Sequence, residues 1–234
     1  MIFKPASSQL WNFWAPHYEK LWVQSVSLTP TRRAVIQQVK EIIQTHQEND
    51  TPVSPRHDHG KSPLLRLLDV GCGTGQLLRD LRQAFPHLSL ELTGVDYSPA
   101  MIAQAQAMET GEDQPITYHR LQVQELQQLS QSFHLVLCTH SFPYYPDQQA
   151  ALDAFRQVLK PGGHVIMAQA AGVTWYDTLV LFFVKWTTGA ACYPSETALR
   201  QLIHHRFHLL KVASLKERWY MPSILLFHLK GVSP

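Results

Sequence analysis

Along this chain the spacing of apolar residues switches repeatedly between a helical period and short unbroken runs. Val35, Ile36, Val39, Ile42 and Ile43 recur at helical spacing and predict an amphipathic helix over 31–46. Ahead of it lie Trp11, Phe13, Trp14, Tyr18 and Trp22, an aromatic stretch that reads as a helix packed on the main body, as a lid over a ligand, or as both. Over 49–63, Asp, Pro, Ser, His and Gly cluster without a period, which predicts a loop or linker. Short apolar runs at 64–70, 88–95, 116–121, 133–139 and 164–168 then predict strands.

Helical patterns fill the intervals between those runs. Leu77, Leu78, Leu81 and Phe85 share a face over 76–85, and Met101, Ile102 and Ala105 face inward over 99–108, behind a Ser98-Pro99 start. Ala151, Leu152, Phe155, Val158 and Leu159 mark a helix over 147–160 that Pro161, Gly162 and Gly163 should stop. A helix near 195–206 and strands near 208–215 and 223–229 follow, the two strands pairing antiparallel at one sheet edge. Strands alternating with helices require right-handed crossovers. The expected fold is α/β, a seven-stranded, mostly parallel sheet with helices on both faces and the last strand antiparallel. Residues 1–62 are expected to form an amino-terminal helical cap and linker, and 63–234 the main domain, with an apolar insertion near 172–194.

Composition narrows the function classes. The chain has 234 residues, 45% of them hydrophobic and 16% charged, which excludes a disordered or fibrous protein. A net charge of +2 offers no electrostatic footprint for nucleic acid. Cys72, Cys138 and Cys192 are odd in number and form no C-x-x-C pair, so neither a disulfide framework nor a zinc ribbon is expected, and a reducing cytoplasm is the expected location. The first residues lack the order of a signal peptide, and the longest apolar run, 179–184, is far short of the ~20 residues that cross a bilayer. The segment 175–186 has the aromatic ends of an interfacial helix, but an insertion closing over a pocket is the favoured reading over membrane contact. His57, Asp58 and His59, and separately His204 and His208, resemble partial metal sites without a further ligand, so no metal is expected.

The most informative residues are Leu67, Leu68, Asp69, Val70, Gly71, Cys72, Gly73, Thr74 and Gly75, a buried strand running through alternate glycines into a helix. In an open parallel sheet, ligands sit at the carboxyl ends of strands, and glycines let the backbone come close to them. Gln76 stands where the dinucleotide fingerprint has its third glycine, and the Gly-Lys-Ser/Thr of a phosphate loop is absent. The next strand ends at Asp96, placed to accept two hydrogen bonds from a ribose diol, at a spacing beyond the roughly 20 residues of the dinucleotide pattern. A nucleoside without a pyrophosphate fits better.

These motifs resemble the class I, Rossmann-like S-adenosylmethionine (SAM)-dependent methyltransferases. The glycine segment is similar to that family's first motif, and Gly94, Val95, Asp96, Tyr97, Ser98, Pro99, Ala100 and Met101 to its second. The runs at 133–138 and 154–163 resemble its fourth strand and the turn into its fifth, so the likeness covers 64–169 in order. Its nearest flavour is the small-molecule group that includes quinone and lipid-headgroup methyltransferases, whose amino-terminal aromatic-acid helix the run from Trp14 to Glu19 resembles. The resemblance implies SAM as cofactor. Asp69 would orient the loop near the methionine amino group, with Gly71, Gly73 and Gly75 admitting the methionine portion. Asp96 would hold the ribose, Tyr97 and Met101 would flank the adenine, and Gln122 would meet its amino group, with His119 and Gln124 as lesser alternatives. Cys72, Val123, Thr139 and Tyr18 join the cofactor side.

Methyl transfer from a sulfonium needs alignment and exclusion of water more than activation. The segment from Thr139 to Tyr145 follows the fourth strand and should line the meeting place of acceptor and methyl group. His140 is the candidate base by position and by titration near neutrality, and Phe142, Tyr144 and Tyr145 are candidate acceptor contacts. Ser141, Phe142, Pro143 and Tyr144 lack the first proline of the nucleic-acid amino-methyltransferase motif, which disfavours DNA and RNA. The expected function is methylation of a small organic acceptor at O, N or C. The alternative is a SAM-binding protein without turnover, acting as a regulatory partner.

Overall fold

The computed structural model describes residues 8–49, 64–109, 115–179, 181, 191–216 and 221–232. All but the first residue of the expected linker, the His57-Asp58-His59 cluster within it, the first seven residues and half of the 175–194 segment lie outside them.

The chain begins with α1 (Ser8–Trp14), a 3-10 helix (Ala15–Lys20) and a π-helical turn (Gln24–Leu28) that runs into α2 (Thr29–Asn49). The α2 pattern extends beyond 31–46 at both ends. β1 (Leu65–Val70), α3 (Gln76–Ala84), β2 (Leu90–Asp96), α4 (Pro99–Ala107) and β3 (Thr117–Arg120) form the first half of the sheet. A 3-10 helix (Val123–Leu129) leads to β4 (Phe133–Thr139), another (Phe142–Tyr144) to α5 (Gln148–Val158) and β5 (Leu159–Ala170). Then come α6 (Glu196–Ile203), β6 (Phe207–Leu215) and β7 (Ile224–Gly231).

The strands lie in the order β3-β2-β1-β4-β5-β7-β6. All neighbouring pairs from β3 to β5 are parallel; β7 runs against both β5 and β6. The seven-stranded, mostly parallel sheet with its last strand reversed is therefore the one the sequence predicts. Its order turns back between β1 and β4, which opens a crevice at their carboxyl ends.

Helices explain why the strands read as continuous apolar runs: both faces are covered. Leu67, Leu135, Leu137 and Ile166 meet Val35, Val39 and Ile42 of α2 and Leu77, Leu78 and Leu81 of α3. Leu68, Val136, Val165 and Met167 face the other way, toward Leu152 and Phe155 of α5 and Leu199 and Ile203 of α6. Burying each of the three α2 side chains contributes about 1.5–3 kcal/mol as an upper bound. Helix starts are fixed by side chains: Ser98 Oγ accepts the Met101 amide, Asp147 that of Ala150 and Ser195 that of Ala198.

One boundary differs from expectation. The helix predicted to residue 160 ends at Val158, and Pro161, Gly162 and Gly163, read as a stop, belong to β5. Leu159 is already extended and pairs with Phe133, and a register shift between Phe133 and Leu135, together with a positive φ at Gly162, absorbs the irregularity.

Candidate active site

A cavity of about 560 Å³ opens at the carboxyl ends of β1, β2 and β4, within the range of small-molecule sites. Its floor is the strand-to-helix turn after Val70. The Gly71 and Cys72 amides both donate to the Val95 carbonyl, at 2.7 and 3.0 Å, folding the turn back onto β2. Gly71 has φ +78°, and a Cβ there would run into the Ser141 side chain, so only glycine fits. Asp96 completes the turn: Oδ2 accepts the Gly73 amide at 3.0 Å and Oδ1 the Ser98 amide at 2.9 Å. Each oxygen keeps a lone pair, enough to receive a diol. Burial pushes the Asp96 pKa up, against the pull of its amide donors.

Beside this lies a small cavity of about 50 Å³ that shares Tyr18, Gly71, Gly73, Thr139 and His140 with the large one and reaches Asp69, Cys72, Thr31 and Arg32. Asp69 is buried, and its Oδ1 has no hydrogen-bond partner among the described residues. Burial, reinforced by Asp96, pushes its pKa up to about 8. A buried orphan carboxyl oxygen beside a glycine cradle is a seat for a cationic group, and a methionine ammonium has that chemistry.

The amino-terminal segment supplies a wall. Trp11 and Tyr18 line the large cavity, and Trp11 meets Tyr144 edge to face at 5.1 Å across it. Three polar ties hold the segment down. Glu19 Oε1 accepts from the Thr74 hydroxyl and from Arg79, both at 2.7 Å; Ser98 Oγ donates to Asn12 at 2.8 Å; and Arg32 pairs with Asp80 at 2.8 Å while bonding Gln24 and Gln76. Burial, with Tyr144 and Asp96 nearby, raises the Tyr18 pKa and keeps its hydroxyl protonated.

Most sequence-predicted residues converge here. Tyr18, Gly71, Gly73, Asp96, Tyr97, Met101, Gln122, Val123, Thr139, His140, Tyr144 and Tyr145 all line the large cavity. Gln124, the lesser alternative to Gln122, lines it too, whereas His119 does not. Asp69 and Cys72 lie behind the turn on the small cavity. Gly75 sits outside both, packed against Tyr118 at the start of α3. Phe142, expected beside the acceptor, is 0% exposed and belongs to the core: the 3-10 turn that carries it aims it inward against Tyr145. Sequence reasoning gave no role to Leu121 or Pro146, which also line the cavity, nor an individual one to Glu19 or Thr31, and it placed Trp11 and Ser141 only as members of the aromatic stretch and of the segment after the fourth strand. Glu19 ends the aromatic-acid run that begins at Trp14; Thr31 carries no local signal at all.

His140 departs from expectation in its acidity. Burial and the Arg32 cation push its pKa down to about 4, so the ring is neutral at pH 7. Its φ of +59° is a left-handed conformation for a non-glycine residue, held by an amide bond to the Ala168 carbonyl at 2.7 Å and a ring bond to Thr31 at 2.9 Å. Among the described residues no group of three His, Cys, Asp or Glu side chains is arranged to hold a metal, and His204 meets His205 edge to face. No described helix is long and apolar enough to cross a membrane.

Residues 67–163 match a family model described as a methyltransferase domain. Over 106 residues the chain is 33% identical to the ubiquinone biosynthesis O-methyltransferase of Photorhabdus laumondii, covering 44% of this chain and 42% of that one. Over 124 residues it is 32% identical to the trans-aconitate 2-methyltransferase of Deinococcus radiodurans, covering 51% and 45%. The chain thus spans less than half the length of these curated relatives. The magnesium protoporphyrin IX methyltransferase of Synechocystis PCC 6803, solved with S-adenosylhomocysteine (SAH), superposes with a TM-score of 0.65 at 17% identity over 91% of this chain and 88% of that one.

Proposed function

We propose, from the premise that this chain carries a class I, Rossmann-like SAM-dependent methyltransferase domain whose cofactor is SAM, that it methylates a small organic acceptor, with oxygen the favoured atom. The single observation that carries this is convergence: the glycine turn, Asp96 and the buried orphan Asp69 share one crevice with His140 and an aromatic wall.

SAM, when bound, supplies a methyl group on a sulfonium that needs no further activation. Asp96 would receive the ribose hydroxyls while its own oxygens brace Gly73 and Ser98. Asp69 would face the methionine ammonium. Tyr97, Met101, Gln122 and Val123 would surround the base. Trp11, Tyr18, Tyr144 and Tyr145 would exclude water and present aromatic faces to positive charge. His140, neutral at pH 7, would take a proton from the acceptor. Residues 1–62 would act as the cap of this site. Oxygen is favoured because the ubiquinone biosynthesis relative, similar in sequence over 106 residues, is named an O-methyltransferase and because a hydroxyl, unlike a neutral amine, gains from a neutral imidazole.

Incubation with labelled SAM and a fractionated metabolite extract tests the reading, with SAH affinity measured by calorimetry. SAH binding with a labelled small-molecule product is expected. Binding without product from any fraction would favour a SAM-binding partner protein, and indifference to SAH would overturn both.

A further inference from the structure

Thr31 lies on α2, far from the glycine turn in sequence, yet its hydroxyl oxygen is 2.9 Å from His140 Nε2. The same hydroxyl donates to the Ser27 carbonyl at 2.8 Å. A threonine has one hydroxyl proton, and a carbonyl can only accept. With that proton committed to Ser27, the contact with His140 has one sense: the ring's Nε2–H donates and Thr31 accepts. A neutral imidazole protonated at Nε2 carries its lone pair on Nδ1, and no partner for Nδ1 occurs among the described residues. Reversal would strip the Ser27 carbonyl of its hydroxyl donor in the buried turn beneath α2, where Thr31 is fully buried.

We propose that Thr31 is a positioning residue that fixes the tautomer of His140, making Nδ1 the atom that receives the acceptor's proton. This rests on the reading of the crevice as a methyl-transfer site. As the acceptor oxygen bonds the methyl carbon, the carbon–sulfur electron pair returns to sulfur. The hydroxyl proton passes to Nδ1, and the imidazolium keeps its Nε2–H on Thr31 until water takes the extra proton. The positive charge is thus carried from sulfur to the ring, so the site never holds two new cations at once. The left-handed backbone at His140 has the same reading: strain is retained where it sets the ring on this contact.

Long-range nitrogen–proton NMR of protein labelled with 15N-histidine reports the tautomer without any acceptor. The chain has 13 histidines, so the His140 signals are assigned by their loss in His140→Gln. Wild type should show the Nε2–H form in roughly tenfold excess or more. Thr31→Ser should keep it, and Thr31→Val, which lacks the acceptor, should yield a mixture. An Nδ1–H wild type would overturn the proposal by itself, even if Thr31→Val failed to fold. An unchanged tautomer in a folded Thr31→Val would overturn it as well. SAH calorimetry on the same samples separates the two readings: a correct tautomer in a protein that ignores SAH would fault the function, and an Nδ1–H ring in a protein that binds SAH would fault only the role of Thr31.

Discussion

The carboxylate of Asp96 accepts the amide of Gly73 at 3.0 Å, so the residue proposed to hold the ribose also braces the glycine turn. Asp96→Ala removes the proposed ligand contact and an observed loop contact together. SAH affinity should fall by about 1.5–3 kcal/mol, the range for hydrogen bonds to a charged group, with the greater part of the thermal stability retained. Isothermal calorimetry beside a melting curve checks this; unchanged affinity would remove Asp96 from the site.

Asp69 predicts a proton release. Its folded pKa, raised to about 8, keeps the carboxyl neutral at pH 7, whereas an unfolded aspartate ionises near 3.9. This neutral form costs nothing below the unfolded value, and its contribution to stability is lost as pH rises through the folded one. A ligand ammonium at Oδ1 favours the ionised form, so binding SAH at pH 7 should expel up to one proton. Calorimetry in two buffers of different ionisation enthalpy would read it, and Asp69→Asn should abolish it.

Two histidines predict a loss of stability in acid. His140 and His228 both have pKa values lowered to about 4, chiefly by burial, against an ordinary value near 6.5. Groups depressed in this way stabilise the fold fully above 6.5, and that stability drains away as pH falls toward 4. His228 is bonded ring to ring with His164 at 2.9 Å between β5 and β7. Tm should therefore decline from pH 6.5 to 4, and His228→Gln should make the decline shallower. An equally steep decline in the variant would place the acid sensitivity elsewhere.

Glu19 fastens the amino-terminal wall to Thr74 and Arg79, and both ion-pair partners are mostly buried. Arg79→Ala should cost about 1–3 kcal/mol locally and expose the segment around Ala15–Lys20 to limited proteolysis, while the sheet stays resistant. Cleavage no faster than in wild type would show that the aromatic contacts alone hold the wall.

The sheet was legible because covering both of its faces forces strands such as Phe133–Thr139 to carry an unbroken apolar run, here Leu135 to Cys138, and that survives in any reading of the chain. The start of β5 was not, because Pro161, Gly162 and Gly163 carry a local stop signal, while the residue that draws Leu159 into the sheet, Phe133, is remote in sequence. The glycine turn was legible because its chemistry requires bare backbone. Phe142 was misplaced because a one-turn 3-10 helix decides which of four neighbouring side chains points inward, and no periodicity spans so short a piece. Thr31 and Glu19 were invisible as site residues because their meaning lies in partners that only folding brings near.

The contact of α2 with β5 and β7 also orders events during synthesis. Val35, Val39 and Ile42 leave the ribosome early, but two of the strands they lie against, β5 and β7, emerge late, on the order of ten seconds or more later at ordinary elongation rates. For that interval the part of the helix's oily stripe that β5 and β7 cover in the finished fold lies open, even after α3 has packed on the rest, which makes the nascent chain a natural client for chaperones and ties completion of the core beneath the crevice to the final strand.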